Sequence, residues 1–300
     1  MLLPFASIAL VIGAQLTIAE SPTNATNGPT FSGRQLPRPN HVVVVVEENK
    51  AYGQIIGNVA AEYLNRLASD AALFTNSFAI THPSQPNYLA LFSGSTHGIL
   101  NDQCPILVSG DNLASQLRKK GLGFGIYSES MPFAGYDACS SADNYYVRKH
   151  NPAVNWQNKN LTPEVNMPFD NFPSDYAKLP TLSIVIPNLL DDMHDGRTLR
   201  DQIARGDAWL KSNLDAYVQW ARSNNSLLIV TWDEDDGSGE NRIPTMFVGP
   251  MVQPGKYNRR IDHYNVLRTL EEMYELAALG NAVHADAIRD IWVSPQPGAR

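Results

Sequence analysis

Four apolar stretches of this chain each run into groups that can do chemistry. Val42 to Val46 lead to Glu47-Glu48-Asn49, and Leu73 to Ala79 lead to Thr81-His82-Pro83-Ser84. Leu182 to Ile186 are followed by Asp191-Asp192-Met193-His194-Asp195, and Leu227 to Trp232 by Asp233-Glu234-Asp235-Asp236. Carboxylates brought together repel one another unless a cation or a shared proton compensates. Hard oxygen ligands with an occasional imidazole suit a divalent metal ion. A metal beside a hydroxyl lowers the pKa of that hydroxyl and readies it as a nucleophile. Such a set describes displacement at phosphorus or sulfur.

For these groups to meet, the stretches that carry them must be strands of one parallel sheet. Their C-terminal ends then emerge on a single edge, where open α/β sheets place their ligands. His41 to Glu47 is almost wholly apolar and β-branched, the pattern of a strand buried on both faces. Further strands are expected at 73–79, 121–128, 182–186, 227–232 and 244–249, with helices over 60–70, 206–223 and 265–276. No internal repeat or heptad run interrupts this alternation. It predicts a single α/β domain with a mainly parallel central sheet flanked by helices.

Ser84 falls where a strand gives way to a helix, between two prolines that stiffen the turn. Unpaired backbone N–H groups and the positive end of a helix dipole there suit an anion such as phosphate. The plainer alternative is that Ser84 caps the helix. An acidic turn would equally account for Glu47-Glu48, and solvated loop acids for Asp191, Asp192, Asp195 and 233–236. Glu47 and Asp235 read as surface or supporting residues, and His41 and His284 as structural ones. Residues 130–180, rich in Pro, Asn and aromatic side chains with little periodicity, are expected to shape a substrate cleft rather than a core.

Three hundred residues at 43% hydrophobic provide an ample core. A net charge of −7, with no basic stripe, argues against a nucleic-acid surface. Residues 1–19 read as a secretory signal, although their start carries no Lys or Arg, and the apolar run is too short to span a membrane. A disordered lead-in is expected over 20–40 and the catalytic domain over 41–300. Asn24, Asn160 and Asn224 stand in N-glycosylation sequons. Cys104 and Cys139 are the only cysteines. In an oxidising compartment they favour a disulfide over a metal pair, since two thiolates alone make a poor site. The protein is thus expected outside the cell, secreted or associated with the cell wall.

The residues resemble the secreted, fungal-type acid phosphatases of the phosphoesterase family that also holds phospholipases C, within the alkaline phosphatase superfamily. The resemblance runs from about His41 to Leu276. It rests on Glu48-Asn49, on Pro83 to Tyr88 with Ser93-Gly94 and Thr96 to Ile99, and on Lys149-His150-Asn151-Pro152. Pro187-Asn188, Asp192 to Asp195, Thr231 to Glu234 and Asp262-His263 complete it. It implies an alkaline-phosphatase-like fold and a phosphate monoester hydrolase with Ser84 as nucleophile and a phosphoserine intermediate. Glu48, Asn49, Asp233 and Ser84 would hold a divalent metal of unknown identity, with Glu234 as a second ligand or a polar support. His194 and His150 would contact substrate oxygens or protonate the leaving group. His82 could do either, and Asn101 would steady a phosphoryl oxygen. Asp192 and His263 match positions where two-metal relatives hold another ion.

The phospholipase branch continues Glu-Asn with a Ser-Phe-Asp type segment, whereas this chain has Lys50-Ala51-Tyr52-Gly53. That favours the small phosphatase branch. Sulfatases need an Arg two residues beyond the proline that follows their nucleophile, which Ser84-Gln85-Pro86-Asn87 lacks. The partners implied are small phosphorylated substrates, without nucleic acid or membrane, and oligomeric state stays open. The alternatives are a phosphodiesterase or phospholipase C-like enzyme, and a secreted binding protein on the same scaffold.

Overall fold

The computed structural model describes residues 36–156 and 165–293. The expected signal segment, Asn24 and Asn160 lie outside them. The described residues form nine strands of one sheet: β1 (His41–Glu47), β2 (Ala72–Phe78), β3 (Phe124–Ser128), β4 (Asn166–Pro168), β5 (Leu182–Ile186), β6 (Ser226–Trp232), β7 (Arg242–Val248), β8 (Gly255–Tyr257) and β9 (Ile261–Asp262). Six α-helices accompany them, besides short 3-10 turns: α1 (Tyr52–Ile55), α2 (Glu62–Ser69), α3 (Ser84–Ser93), α4 (Leu113–Lys119), α5 (Leu199–Ala221) and α6 (His263–Met273). The strand order is β4-β3-β5-β1-β6-β7-β2-β8, with β9 beside β2.

β1 pairs in parallel with both β5 and β6. β7 alone runs the other way, antiparallel to β6 and to β2. Two reversals restore the direction, so β2 is parallel to β1 and ends on the same edge as β1, β5 and β6. The convergence required by the chemistry follows from this topology.

Alternation along β1 serves two cores, because successive side chains of a strand point to opposite faces. Val42, Val44 and Val46 pack with Leu89 and Phe92 of α3, Leu117 of α4 and Leu270 of α6. Val43 and Val45 pack with Leu64 of α2 and Leu210, Leu214 and Tyr217 of α5. The final residue on that second face is Glu47, which is fully buried rather than at the surface.

Several boundaries differ from those expected. α5 begins at Leu199 instead of 206, because Thr198 caps it by accepting the N–H of Asp201. The lead-in is packed by residue 36: Leu36 is buried, and the Tyr274 hydroxyl donates to the Pro39 carbonyl. Residues 130–180 are also more than a cleft wall. Tyr146, Ala153, Trp156 and Val165 are core, and Asn166–Pro168 adds an edge strand. Arg148, itself buried, ties this segment together through Asn155, the Ile106 carbonyl and the Asp137 carbonyl. Cys104 and Cys139 form the expected disulfide.

Candidate active site

Ser84 is the first residue of α3, and its hydroxyl does not cap the helix. Instead its Oγ lies 3.2 Å from Glu48 Oε2 and 3.3 Å from Glu234 Oε1. The strand ends that carry these acids are stitched together: Asp233 N–H donates to the Glu47 carbonyl, and Glu48 N–H to the Asp192 carbonyl. Asn49 turns the chain at a positive φ of 47°, a conformation Asn tolerates better than most residues. There its backbone N–H donates to Asp233 Oδ1 at 3.1 Å.

The anion-binding helix end foreseen at Ser84 is partly occupied. Gln85 N–H donates to Asp102 Oδ1 at 2.9 Å. Asn87 contributes in another way, its side-chain oxygen accepting from Ile80 and Thr81 N–H. Its Nδ2 donates to Glu234 Oε2. Tyr88, one turn after Ser84, donates its hydroxyl to Glu48 Oε1 at 2.6 Å. The same helix face therefore grips both oxygens of Glu48.

Glu48, Asp192 and Asp233 are all buried. Burial pushes the Glu48 and Asp192 carboxyls well above the carboxylate range, reinforced by the charges of their neighbours. Burial raises Asp233 to about 6, and burial plus the adjacent Asp233 raises Glu234 to about 8. Carboxyls in such a state call for protons or a cation.

The donor set fits a hard divalent ion. Asp233 Oδ2 is buried without a partner. The Asn49 amide nitrogen donates to Glu48 Oε2 at 3.0 Å and to Asp233 Oδ1 at 3.2 Å, which holds these two carboxyls close together. Oxygens gathered this way, with Ser84 among them, match the ligands that such cations take.

His150 is buried and stacks on Tyr88, ring centroids 5.1 Å apart. Its Nε2 lies 3.1 Å from Glu48 Oε1 and its Nδ1 3.8 Å from Asp192 Oδ2. Ligand atoms of Glu48, His150 and Asp192 lie within 4.8 Å of one another, so these three can hold a cation together. Burial, helped by Lys149 and His194, drives the His150 pKa well below the usual imidazole range.

His194 lies at the rim, its Nδ1 2.7 Å from Asp195 Oδ1 and its N–H donating to Asp192 Oδ1. His82 is half-exposed, with Nδ1 2.8 Å from Glu234 Oε2 and Nε2 3.2 Å from Asp235 Oδ1. Asp235, read from sequence as peripheral, is buried behind it. His263 does not join Asp192: its Nε2 bonds the Asp233 carbonyl at 2.7 Å. Asn101 is exposed, and its side-chain oxygen accepts Gln103 N–H rather than facing the carboxylates. Its neighbour Asp102 takes the place next to Ser84 instead.

The fold is similar to that of solved structures described as alkaline phosphatase superfamily proteins. Over 85% of the chain it superposes on a member of that superfamily from Vibrio parahaemolyticus, with TM-score 0.57, 13% identity and 72% of that chain covered. The family model for phosphoesterases matches residues 59–277, and the chain belongs to the phosphoesterase family. It is 50% identical over 86% of its length to a phosphatidylinositol-3-phosphatase of Mycobacterium tuberculosis, covering 84% of that protein. It is 33% identical to an acid phosphatase of Aspergillus fumigatus and 34% to a phosphate-repressible acid phosphatase of Penicillium chrysogenum. The chain spans 52% and 56% of the length of those two fungal relatives. Similarity is thus higher to a mycobacterial phosphatase than to these fungal enzymes, which a reading as fungal-type did not anticipate.

Proposed function

We propose that this protein is an acid phosphatase that hydrolyses phosphate monoesters through a phosphoserine on Ser84. The observation that carries the reading is the Ser84 hydroxyl held between Glu48 and Glu234 on an edge shared with Asn49 and Asp233. The mycobacterial and fungal relatives support it, each being a phosphatase.

A divalent ion held by Glu48, Asn49, Asp233, Glu234 and Ser84 would offset the carboxylate charge and stabilise the ionised Ser84 oxygen. In the first step Ser84 Oγ attacks phosphorus in line, the Oγ–P bond forms and the ester P–O bond breaks. The Ser84 proton has carboxylate acceptors at Glu48 Oε2 and Glu234 Oε1. The departing alkoxide takes a proton from His194, whose Nδ1 is fixed by Asp195. Water then attacks phosphorus, Ser84 Oγ leaves and recovers its proton, and inorganic phosphate is released. Asn87 and Asp102 hold the start of α3 in place during both steps.

We further propose that the protein works outside the cell; the Cys104–Cys139 disulfide supports this, since such bonds persist in oxidising compartments. Among the described residues no helix is long and apolar enough to cross a membrane.

The test is hydrolysis of para-nitrophenyl phosphate against its bis ester at about pH 5 and about pH 8, before and after chelation. Faster monoester turnover at the acid pH, lost on chelation and in Ser84→Ala, is the expected result. Preference for the bis ester, or monoester turnover retained in Ser84→Ala, overturns the reading.

A further inference from the structure

Lys149 and Asp102 come from distant parts of the chain and meet beside Ser84. Lys149 Nζ lies 2.7 Å from Asp102 Oδ2, and the other oxygen of Asp102 accepts the N–H of Gln85, the residue after Ser84. The side chains are 21% and 28% exposed, so the pair is half-buried but open to a ligand. Of the ammonium's three donors, Asp102 engages one.

The disulfide clamps this pair from both sides. Cys104 lies two residues beyond Asp102. The carbonyl of Cys139 accepts the N–H of Arg148, the residue before Lys149. Arg148 continues the clamp by donating to the carbonyls of Ile106 and Asp137, which flank the two cysteines. A covalent bond, a buried arginine and a backbone hydrogen bond all fix the position of one ammonium.

The surroundings explain what that ammonium is for. Glu48, Asp102 and Asp233 lie close enough for their charges to act on Lys149, and the ammonium acts in turn on Glu48 and Glu234. Lys50 is the other lysine near these acids, but it is buried and donates to its neighbour's carbonyl, the Asn49 oxygen. Among the described residues, Lys149 is thus the lysine near these acids that also reaches solvent, one hydrogen-bonded carboxylate away from the residue after Ser84. A phosphate monoester brings two negative charges and three non-bridging oxygens to this ring of acids, and a diester brings one charge and two oxygens. An added positive charge offsets more of the first than of the second.

Resting on the monoester reading above, we propose that Lys149, positioned by Asp102 and the Cys104–Cys139 bond, binds a non-bridging oxygen of the phosphoryl group and selects monoester dianions over diesters.

The test compares Lys149→Met, Asp102→Asn and the double variant with wild type on para-nitrophenyl phosphate and its bis ester, with inhibition by inorganic phosphate as a binding readout. Lys149→Met is expected to lower monoester kcat/KM by about 10- to 100-fold and to weaken phosphate inhibition similarly, while bis-ester turnover changes by less than about threefold. Asp102→Asn keeps an acceptor for Gln85 N–H but frees the lysine, and is expected to raise monoester KM more than it lowers kcat. In the double variant the monoester loss persists. Recovery there would mean that the lysine only masks Asp102, and would overturn the proposal. An unchanged monoester-to-diester ratio in Lys149→Met would do the same. Should Lys149→Met not fold, Asp102→Asn carries the test by the same ratio and the same phosphate inhibition. Failure of the underlying reading is visible separately, because wild type would then not turn over the monoester.

Discussion

Ser84 and Tyr88 sit one helical turn apart and hold opposite oxygens of the same carboxylate, Glu48. Residues four apart on a helix share a face, so this grip is local geometry built into α3. Burial and the nearby acids hold the Tyr88 hydroxyl well above its usual pKa, which keeps it a donor at every working pH. Tyr88→Phe removes that donor while keeping the ring that stacks on His150. The expected result is a loss of divalent-metal affinity of about 10- to 100-fold, read by metal titration, with far-ultraviolet circular dichroism unchanged. Wild-type metal affinity in that variant would show that Tyr88 only packs. The role was legible in principle, since Ser84 and Tyr88 already stood four residues apart in one motif. Glu47 was legible too: β1 alternates, and a residue in phase with Val43 and Val45 belongs inside. Lys149 and Asp102 were not. Forty-seven positions separate them, and nothing in either neighbourhood announces the other. The exposed setting of Asn101 was hidden for the same reason, because irregular loops lack the periodicity that fixes direction in strands and helices.

At the scale of elements, strands were the most legible part. β5 was expected and found at 182–186 because buried parallel strands write themselves as short unbroken apolar runs. The start of α5 was obscured by Gly206, which looks like a boundary and is instead a contact. A Cβ there would come within 2.4 Å of Met193 Cγ and 2.9 Å of the Asp191 carbonyl oxygen. The missing side chain lets the segment bearing Asp192 lie on α5. Intrinsic propensity favours Ala over Gly in a helix by about 1 kcal/mol, yet the clash predicts that Gly206→Ala lowers both the Tm and the activity. A raised Tm with full activity would contradict that account. The carboxyl of Glu271 in α6 offers a second test. It is buried, accepts the Leu279 N–H, and is pushed up by burial to about 7. The native state then holds a proton that the unfolded chain releases near the ordinary glutamate value. Stability from this group is full below that value and is lost as pH rises toward 7. Glu271→Gln keeps the acceptor for Leu279 and removes the titration. Urea unfolding between about pH 5 and about pH 8 is expected to show a shallower decline for the variant than for wild type. Parallel declines would mean that Glu271 ionises freely in the native state.

For the molecule as a whole, a single topological fact organises the chemistry: β1, β2, β5 and β6 point the same way although β7 reverses between two of them. Acids from three strand ends and a hydroxyl from a helix N-terminus then converge on an edge that no sequence-local pattern describes. The excursion between β3 and β5 completes the site from outside the sheet by delivering Lys149 and His150, and the disulfide holds it there. Both were legible as elements but not as a joint device, because a cross-link specifies which segments meet only once the fold is known. The central claim is that Ser84 becomes phosphorylated during turnover. The stereochemical course at phosphorus tests it most directly, using a phosphate monoester made chiral with oxygen isotopes whose phosphoryl group is transferred to an acceptor alcohol. Two in-line displacements each invert the centre, so the account predicts net retention. Net inversion would mean that the alcohol attacks the substrate itself, and Ser84 would no longer be the nucleophile.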